Sequence, residues 1–365
     1  MSVPLSVLDL SPIPAGSSVG EAFANTVDLA RAAERFGYRR FWLAEHHLNP
    51  GVAGAVPTLL MQAVAAATGR IRVGSGAVQT GHRTALSVVE EFGTLDALFP
   101  GRIDLGLGRS GGPKGPRRDN GHTERRVVDG VVIPAPVSLA GILRSPRFRA
   151  QLELIRQPGA QASDYAQVVD TVLGLIAGTH RSGEDVEVHA TPGEGADVQT
   201  WVLGSSGGES AEVAGARGLP FAANYHVSPA TVLDAVEGYR AAFRPSAGLE
   251  RPWVMVSADV VVGRDDAHAR ELAAGYAPWV HSIRTGAGAI PFPDATGAGA
   301  YEWDPDLVAD RLDTQFVGDA GTVVDRLAAL RDLTRADELL VTTITHDHAD
   351  RVGSYRLLAD AWAAR

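Results

Sequence analysis

The chain has 365 residues, a formal net charge of −10 and no cysteine. The missing thiols exclude a disulfide scaffold, a thiolate metal site and a cysteine nucleophile, and the acidic balance argues against general nucleic-acid binding, which requires a basic face. No apolar run approaches the roughly 20 residues that span a bilayer, and the opening MSVPLSVLDLSP lacks the features of a signal peptide. We therefore expect a cytoplasmic protein, built as two ordinary domains or as one large α/β barrel.

Predicted strands alternate with predicted helices along the whole chain. Apolar runs predict strands at 5–10, 41–44, 71–78, 103–108, 201–203, 221–224, 254–262 and 339–343. Apolar residues at helical spacing predict helices at 18–37, 56–67, 87–99, 165–177, 209–217, 228–243, 265–283, 305–312, 322–330 and 349–364. Strands separated by helices are typical of βαβ units with a parallel sheet.

Local signals mark several element ends. Asp129-Gly130 suits a type I′ turn and predicts a small hairpin over 127–132. Two pairs have the spacing of a capping box at a helix N-terminus, namely Ser18 with Glu21 and Ser87 with Glu90.

Two stretches rich in glycine and proline, at 110–163 and 284–305, interrupt the alternation. The first carries a run of cations in an otherwise acidic chain, comprising Lys114, Arg117, Arg118, Arg125 and Arg126. This basic run, over 114–126, forms either a solvated loop face or a lid that attracts an anionic cofactor or substrate. We interpret both stretches as insertions in one domain that spans 1–365.

A count of eight strands favours a closed (β/α)8 TIM barrel over a doubly wound sheet. In such barrels the chemistry lies at the carboxyl ends of the strands. Histidines are concentrated directly after predicted strands, at His46, His47, His82, His226, His346 and His348. Because imidazole titrates near neutral pH, the cluster suits proton transfer or metal binding, although any one of them could simply be a structural hydrogen-bonding residue.

The run Gly204-Ser205-Ser206-Gly207-Gly208 follows the fifth strand and is the candidate phosphate site. Small residues let backbone amides approach an anion, and the helix predicted from residue 209 directs the positive end of its dipole to the same place. Arg109, after the fourth strand, would supply charge-assisted bonds. A capping box between Ser206 and Glu209 would explain the serine without a ligand, but not the three glycines.

Two further motifs are weaker. Residues 106–111 fit G-x-G-x-x-G, but Pro113 excludes the helix that a dinucleotide fingerprint must open at once. His346 and His348 have the spacing of the metal pair in barrel hydrolases, yet they follow the last strand rather than the first, and Asp347 equally predicts a helix N-cap. The sequence therefore predicts no metal site.

Five blocks of sequence resemble the bacterial luciferase-like flavin monooxygenases. They are FWLAEHH (41–47), VGSGAVQTGH (73–82), EEFGTLDALFPGRIDLGLGRSGG (90–112), WVLGSSGGESAEVAGARGLPFA (201–222) and ADELLVTTITHDHADRVGSYRLLADA (336–361). The combination, in the family's order, is more specific than any single block. The resemblance implies a TIM barrel that binds reduced FMN (FMNH2) and activates O2 as a flavin C4a-hydroperoxide.

The resemblance also assigns site residues. The triplet from Glu45 to His47 matches the family's Glu-His-His, which makes His46 the acid/base group and places Glu45 in the cofactor site. Gly76 and Ala77 match a strand bulge against the flavin ring, often with a cis peptide. The family's phosphate-binding positions fall on Arg109, Ser205, Ser206, Gly207 and Gly208. The stretch 284–300 lies where the family carries a mobile loop, which suggests a lid that excludes water.

Two departures from the family pattern put the luciferase aldehyde substrate in doubt. Gly108 stands where the luciferase α subunit has a cysteine, and residues 79–82 replace a common leucine-proline element. The sequence does not identify the substrate, whose recognition we expect from the insertions and from Ser11, Gln79 and His226.

Several hypotheses remain open. The leading one is an FMNH2-dependent monooxygenase that acts on a small organic molecule and receives its flavin from a separate flavin reductase, since the chain has no visible NAD(P)H fingerprint. The second is hydride transfer with F420, whose longer anionic tail would favour the basic insertion at 114–126. A catalytically silent flavin-binding barrel and a metal-dependent hydrolase are the remaining hypotheses. Family analogy also suggests a homodimer.

Overall fold

A closed barrel of eight parallel strands forms the centre of the computed structural model, which describes residues 2–109, 124–138, 140–155 and 164–365. Each strand pairs with the next in the chain, and the eighth pairs with the first. The strands are β1 Leu5–Asp9, β2 Arg40–Leu43, β3 Arg72–Ser75, β4 Ile103–Gly108, β5 Gln199–Gly204, β6 Phe221–Asn224, β7 Val254–Val262 and β8 Glu338–Thr342. The predicted (β/α)8 fold is confirmed, while the extent of the domain over 1–365 stays a prediction.

Helices surround the barrel and cover its mouth. They are α1 Val19–Phe36, α2 Pro57–Ala67, α3 Ala85–Leu98, α4 Ala140–Arg144, α5 Pro146–Ile155, α6 Tyr165–Ile176, α7 Glu209–Ala216, α8 Val232–Ala242, α9 Asp266–Leu272, α10 Tyr276–Arg284, α11 Ala295–Ala298, α12 Pro305–Thr314, α13 Ala320–Thr334 and α14 His348–Ala363. Short 3-10 turns cover Thr80–His82 and Pro229–Thr231. None of the helices in the described ranges is long and apolar enough to cross a membrane.

Both faces of the barrel strands are buried. In β1, Val7 packs in the large apolar cluster between the strands and the outer helices, and the adjacent Leu8 joins Trp42 and Trp201 in a second cluster. Parallel strands covered on both faces are apolar almost throughout, which is why the sequence showed continuous apolar runs rather than alternation.

A buried charge cluster lies at the amino ends of the strands. The Arg40 guanidinium donates to Asp104 at 2.8 Å and to Glu338 at 3.0 Å, and all three side chains are buried. Arg72 also bonds Asp104, at 2.7 Å, so that two cations face two anions, as burial of charge requires. The candidate active site lies at the opposite, carboxyl end of the strands.

Most predicted element ends are confirmed. The Ser18–Glu21 capping box is present, and Asp129 and Gly130 have the positive φ angles of a type I′ turn between Arg126–Val128 and Val131–Ile133. The Ser87–Glu90 box is wrong: α3 begins three residues earlier, with Thr84 as its N-cap, and the Ser87 N–H donates to the Thr84 hydroxyl.

One predicted helix and one strand differ from expectation. The helix predicted over 265–283 is two helices, α9 and α10. Gly275 lies at the start of α10, where a Cβ would be 2.5 Å from the Pro293 carbonyl oxygen. The predicted strand 71–78 breaks after Ser75 and resumes at Val78–Gln79 beside β4. A three-residue strand, Phe316–Gly318, pairs with the end of β7 and was not predicted, since it is too short to show periodicity.

Both predicted insertions contain helices. The described part of 110–163 holds the hairpin, α4 and α5, and 284–305 holds α11. Of the basic run, Lys114, Arg117 and Arg118 lie outside the described residues. Arg125 forms an exposed ion pair with Asp313 at 2.6 Å.

Candidate active site

A cavity of about 440 Å³ opens at the carboxyl ends of β2 to β6. Most of the predicted site residues line it, namely Glu45, Gly76, Ala77, Arg109, Ser205 and Ser206. His46 is adjacent to this set in the chain, as are Gly207 and Gly208. A larger groove of about 580 Å³ lies at the other end of the barrel, beside Arg335 and Arg365, away from the end where barrels carry their chemistry.

The wall between β3 and β4 is built from small residues. The peptide bond between Gly76 and Ala77 is cis, as the resemblance implied. A Cβ on Gly76 would lie 2.7 Å from the Leu8 side chain, and one on Gly108 would lie 3.1 Å from the Ala77 Cβ. Larger residues at either glycine would therefore crowd this wall.

The Glu45 carboxylate links the ends of β2 and β3. Its Oε1 lies 2.8 Å from His47 Nε2 and 3.0 Å from His82 Nε2, and its Oε2 accepts the Gln79 backbone N–H at 3.0 Å. Burial alone would raise the pKa of Glu45, but the bonds from His82 and Gln79 and the charge of Arg83 outweigh it and lower that pKa. Glu45 is therefore a fixed anion on the cavity wall.

Glu45, His47 and His82 are also close enough to hold a metal ion, with one ligand atom from each within 4.8 Å of the others. However, a metal-bound histidine usually donates its second ring N–H to an acceptor, and His82 Nδ1 is buried without a partner among the described residues. The hydrogen bonds to Glu45 account for the arrangement without an ion.

The His46 Nδ1 is buried and, like that of His82, has no hydrogen-bond partner in the described part of the chain. Burial and the nearby His47 lower the pKa of His46 from 6.5 to about 4, against the opposing effect of Glu45. The imidazole is therefore uncharged at neutral pH. The rim histidines were expected to titrate near neutrality, and for this one burial moves the pKa well below that range.

A second part-buried histidine, His226, follows β6. His226 Nδ1 lies 2.5 Å from the Ser257 hydroxyl on β7. Burial lowers the pKa of His226 to about 4; Asp259 opposes this shift, whereas Arg311 and His46 add to it. The sequence indicated His226 as a rim residue but gave no sign of its partner, because Ser257 lies inside an apolar strand.

A buried polar network lies near His226. Asp259 on β7 accepts hydrogen bonds from the Tyr276 hydroxyl and from Arg311, the latter at 2.9 Å. Arg311 also donates to the Tyr276 oxygen at 2.7 Å. Sequence reasoning missed this set completely, since its members come from β7, α10 and α12 and form no local motif.

The serine-glycine turn lies at the N-terminus of α7. The predicted capping box is wrong, because the N-cap is Gly208, which has no side chain to bond the first turn of the helix. Glu209 instead pairs with Arg109, whose Nη1 lies 2.7 Å from its carboxylate. The α7 N-terminus therefore lies beside the cavity without a side-chain cap. The nearby Arg109 is paired with Glu209.

The three glycines of this turn do not all serve a ligand. A Cβ on Gly204 would lie 2.9 Å from the Phe221 ring, and one on Gly207 would lie 2.5 Å from the Asp234 carbonyl oxygen. Packing explains both, contrary to the sequence argument. Only Gly208 has open space, where a Cβ would meet nothing nearer than the Ser206 hydroxyl at 3.6 Å.

His346 and His348, the last two rim histidines, form hydrogen bonds with residues outside the cavity lining. His346 Nε2 lies 3.0 Å from the Ala15 carbonyl oxygen, and His348 Nε2 lies 2.9 Å from the Asp28 carboxylate. Asp347 caps α14 as predicted. The pair does not converge on one point.

The two insertions meet over the barrel mouth. Arg147 of α5 donates to the Leu48 carbonyl and, at 3.2 Å, to Asn49 Oδ1, which also accepts the Ala289 N–H at 3.0 Å. Gly288 lies so close to the Arg147 side chain that a Cβ at position 288 would be 2.3 Å from Arg147 Cζ. Arg147 thus ties both insertions to the loop after β2, a role that the sequence did not indicate.

Residues 3–129 and 147–337 match the family model described as luciferase-like monooxygenase. The chain belongs to this family. It is 37% identical over 363 residues to the uncharacterized protein YvbT of Bacillus subtilis (strain 168), covering 99% of this chain and 97% of that protein. It is 34% identical over 363 residues to the luciferase-like monooxygenase of Escherichia coli (strain K12), covering 98% and 97%.

Solved structures of luciferase-like enzymes have the same fold. Apo-MsnO8 has a TM-score of 0.80 at 30% identity, covering 100% of this chain and 98% of its own. The FMN complex of the oxygenating constituent of 3,6-diketocamphane monooxygenase, from a Pseudomonas putida plasmid, has a TM-score of 0.63 at 19% identity, covering 100% and 99%. An F420-dependent secondary alcohol dehydrogenase has a TM-score of 0.61 at 15% identity, covering 99% of each chain. Family membership supports an oxidoreductase, and the fold accommodates either flavin or F420 in other proteins.

Proposed function

We propose that this protein is a monooxygenase that uses FMNH2 and O2 to oxidise a small organic molecule. Family membership supports the class of reaction. The observation that supports the cofactor is the N-terminus of α7, where Gly208 offers no side-chain cap, beside a cavity lined by Arg109, Gly76 and Ala77.

The residues present fit a flavin phosphate. Backbone N–H groups at a helix N-terminus attract anions, and here the Ser205–Gly208 turn would present them while Arg109 adds charge-assisted bonds. Glu209 would have to release Arg109 for the phosphate to bind. The flavin ring would lie against Gly76 and Ala77, beside the fixed carboxylate of Glu45.

Reduced FMN, when bound, supplies the electrons that activate O2. His46 is the proposed acid/base group, because it matches the family's histidine beside the cofactor and its buried Nδ1 has no hydrogen-bond partner among the described residues. The Arg147 contacts hold the two insertions over the mouth, which would exclude water from the reaction.

The test is an anaerobic titration of the protein with FMNH2, followed by tryptophan fluorescence. Arg109→Gln should weaken binding about 10- to 100-fold, as expected for the loss of charge-assisted hydrogen bonds. Arg181→Gln, which removes an exposed ion pair with Asp185 away from the cavity, is the matched control and should bind normally. Absence of flavin binding at millimolar FMN would overturn the proposal.

F420-dependent hydride transfer is the second candidate, favoured by the cations of the 114–126 segment and by the F420-dependent neighbour. Thermal shifts measured with FMN and with F420 discriminate the two, because only the cofactor that binds the folded state stabilises it. A silent flavin-binding barrel predicts instead that the protein binds FMN without turnover and that His46→Ala changes neither result.

We also propose a separate flavin reductase and a homodimer. The reductase would be detected by turnover that requires its addition or chemically supplied FMNH2. The homodimer would bury apolar side chains that α2 and α3 expose, of which Leu59 is 70% and Leu86 45% exposed. Leu59→Asp should then produce a monomer in sedimentation experiments. The cytoplasmic location stays a prediction.

A further inference from the structure

We propose that the Glu209 carboxylate and the phosphate of a bound flavin share one proton, which is taken up from solvent when the flavin binds. The site then holds the phosphate as a singly charged group rather than as the dianion that predominates at neutral pH. This inference rests on the flavin-binding function proposed above and adds the charge state in which the site accepts its ligand.

The charges of the described cavity lining do not suit a phosphate dianion. Among these residues Arg109 is the one cation, whereas Glu45 and Glu209 are carboxylates. A dianion would add two further negative charges to a lining that already has more carboxylates than cations. Backbone N–H groups at the α7 N-terminus favour an anion, but they contribute only about half a unit of positive charge.

Glu209 lies where it competes with a phosphate for Arg109. Its Oε2 is 2.7 Å from Arg109 Nη1, and it is the first residue of α7, next to the N-cap Gly208. The helix backbone holds Glu209 beside this cap. A rotation that releases Arg109 therefore still leaves the carboxylate within the roughly 8 Å over which charges act at physiological salt.

The other charged groups near Glu209 do not offset its charge. Asp234 of α8 lies against the serine-glycine turn and adds a further carboxylate. Arg217, at the far end of α7, is paired with Asp170 at 2.5 Å. Tyr165 of α6 is close to Glu209, but burial raises the pKa of this phenol, so it stays uncharged. These groups leave Arg109 as the main counter-charge for both anions.

A shared proton removes the conflict between the two anions. A carboxylate only accepts hydrogen bonds, whereas a singly protonated phosphate has a hydroxyl to donate, and a hydroxyl bonds a carboxylate strongly. Arg109 can then bind the remaining phosphate oxygens while Glu209 keeps a partner. The proton is readily available, because the second pKa of a phosphate monoester is about 6, and about one phosphate in thirty already carries it at pH 7.5.

The first experiment measures proton uptake by anaerobic calorimetry of FMNH2 binding at pH 7.5, in buffers with different ionisation enthalpies. Glu209→Gln should bind FMNH2 with about one proton fewer taken up than the unsubstituted protein. The flavin ring is the same in both titrations, so the difference reports the phosphate site. Glu212→Gln, at an exposed position on the same helix, is the control and should keep the full uptake. Equal uptake by Glu209→Gln and the unsubstituted protein would overturn the inference.

The second experiment compares FMNH2 with reduced riboflavin 5′-sulfate, whose ester group is singly charged at every pH used. The affinity for FMNH2 relative to the sulfate ester should fall roughly 10- to 50-fold between pH 6 and pH 8, as the singly protonated phosphate disappears from solution. Glu209→Gln should remove most of this fall, and Glu212→Gln should not. A constant ratio in the unsubstituted protein would contradict the shared proton but not the proposed function. Failure of both esters to bind would contradict the proposed function itself and this inference with it.

Discussion

Mild acid should destabilise this protein through His46 and His226. Burial lowers the pKa of each from 6.5 to about 4. The unfolded chain therefore binds more protons than the folded one between those values. The free energy of unfolding is therefore highest above pH 6.5 and decreases as the pH falls toward 4.

The size of this effect follows from the two pKa values. Between pH 7 and pH 5, each histidine should lower the free energy of unfolding by at most about 2 kcal/mol. The two contributions are not independent, because the rings affect each other.

Urea unfolding at pH 7 and pH 5, without flavin and followed by tryptophan fluorescence, measures the loss. His46→Gln and His226→Gln should each lose less stability over this range than the unsubstituted protein, by up to about 2 kcal/mol. Val280→Ala, in the apolar cluster at the same end of the barrel, is the control and should lower stability equally at both pH values. If the glutamine variants lose as much stability as the unsubstituted protein, the rings are not held uncharged and the reasoning fails.

Three further predictions concern the phosphate turn and the lid. Glu209→Gln should tighten FMN binding up to about fivefold in a fluorescence titration, because it removes a part-exposed carboxylate that shares Arg109; weaker binding would show that Glu209 supports the site instead. Gly207→Ala should cost about 1–3 kcal/mol in urea unfolding, since its Cβ would crowd the Asp234 carbonyl. Gly208→Ala should fold normally, and equal stabilities would disprove the packing argument. Arg147→Ala should increase amide exchange over 286–290 about fivefold, as expected for the loss of about 1 kcal/mol, whereas the exposed Arg149→Ala should not. Unchanged exchange would mean that the Arg147 contacts do not hold the lid.

The sequence predicted the barrel because strand and helix signals are local. Runs such as 221–224 and 254–262 were identified with the bounds that the structure has, since a strand buried on both faces is apolar throughout. The order of these elements then predicted which residues share the carboxyl rim. Glu45, Gly76, Arg109 and Ser205 do share one cavity.

Tertiary structure decided the state of those residues. Whether Ser206 caps α7 depends on the path of the chain at Gly208, and whether Gly207 serves a ligand depends on the distance to Asp234 on another helix. The pairing of His226 with Ser257, and the contact of Arg147 with Asn49, join residues far apart in the chain. Burial and partner geometry set the charge of a side chain, and both arise only when distant segments pack together. The sequence therefore determined which residue types reach the rim, and the packing of the barrel determined which of them are free, paired or uncharged.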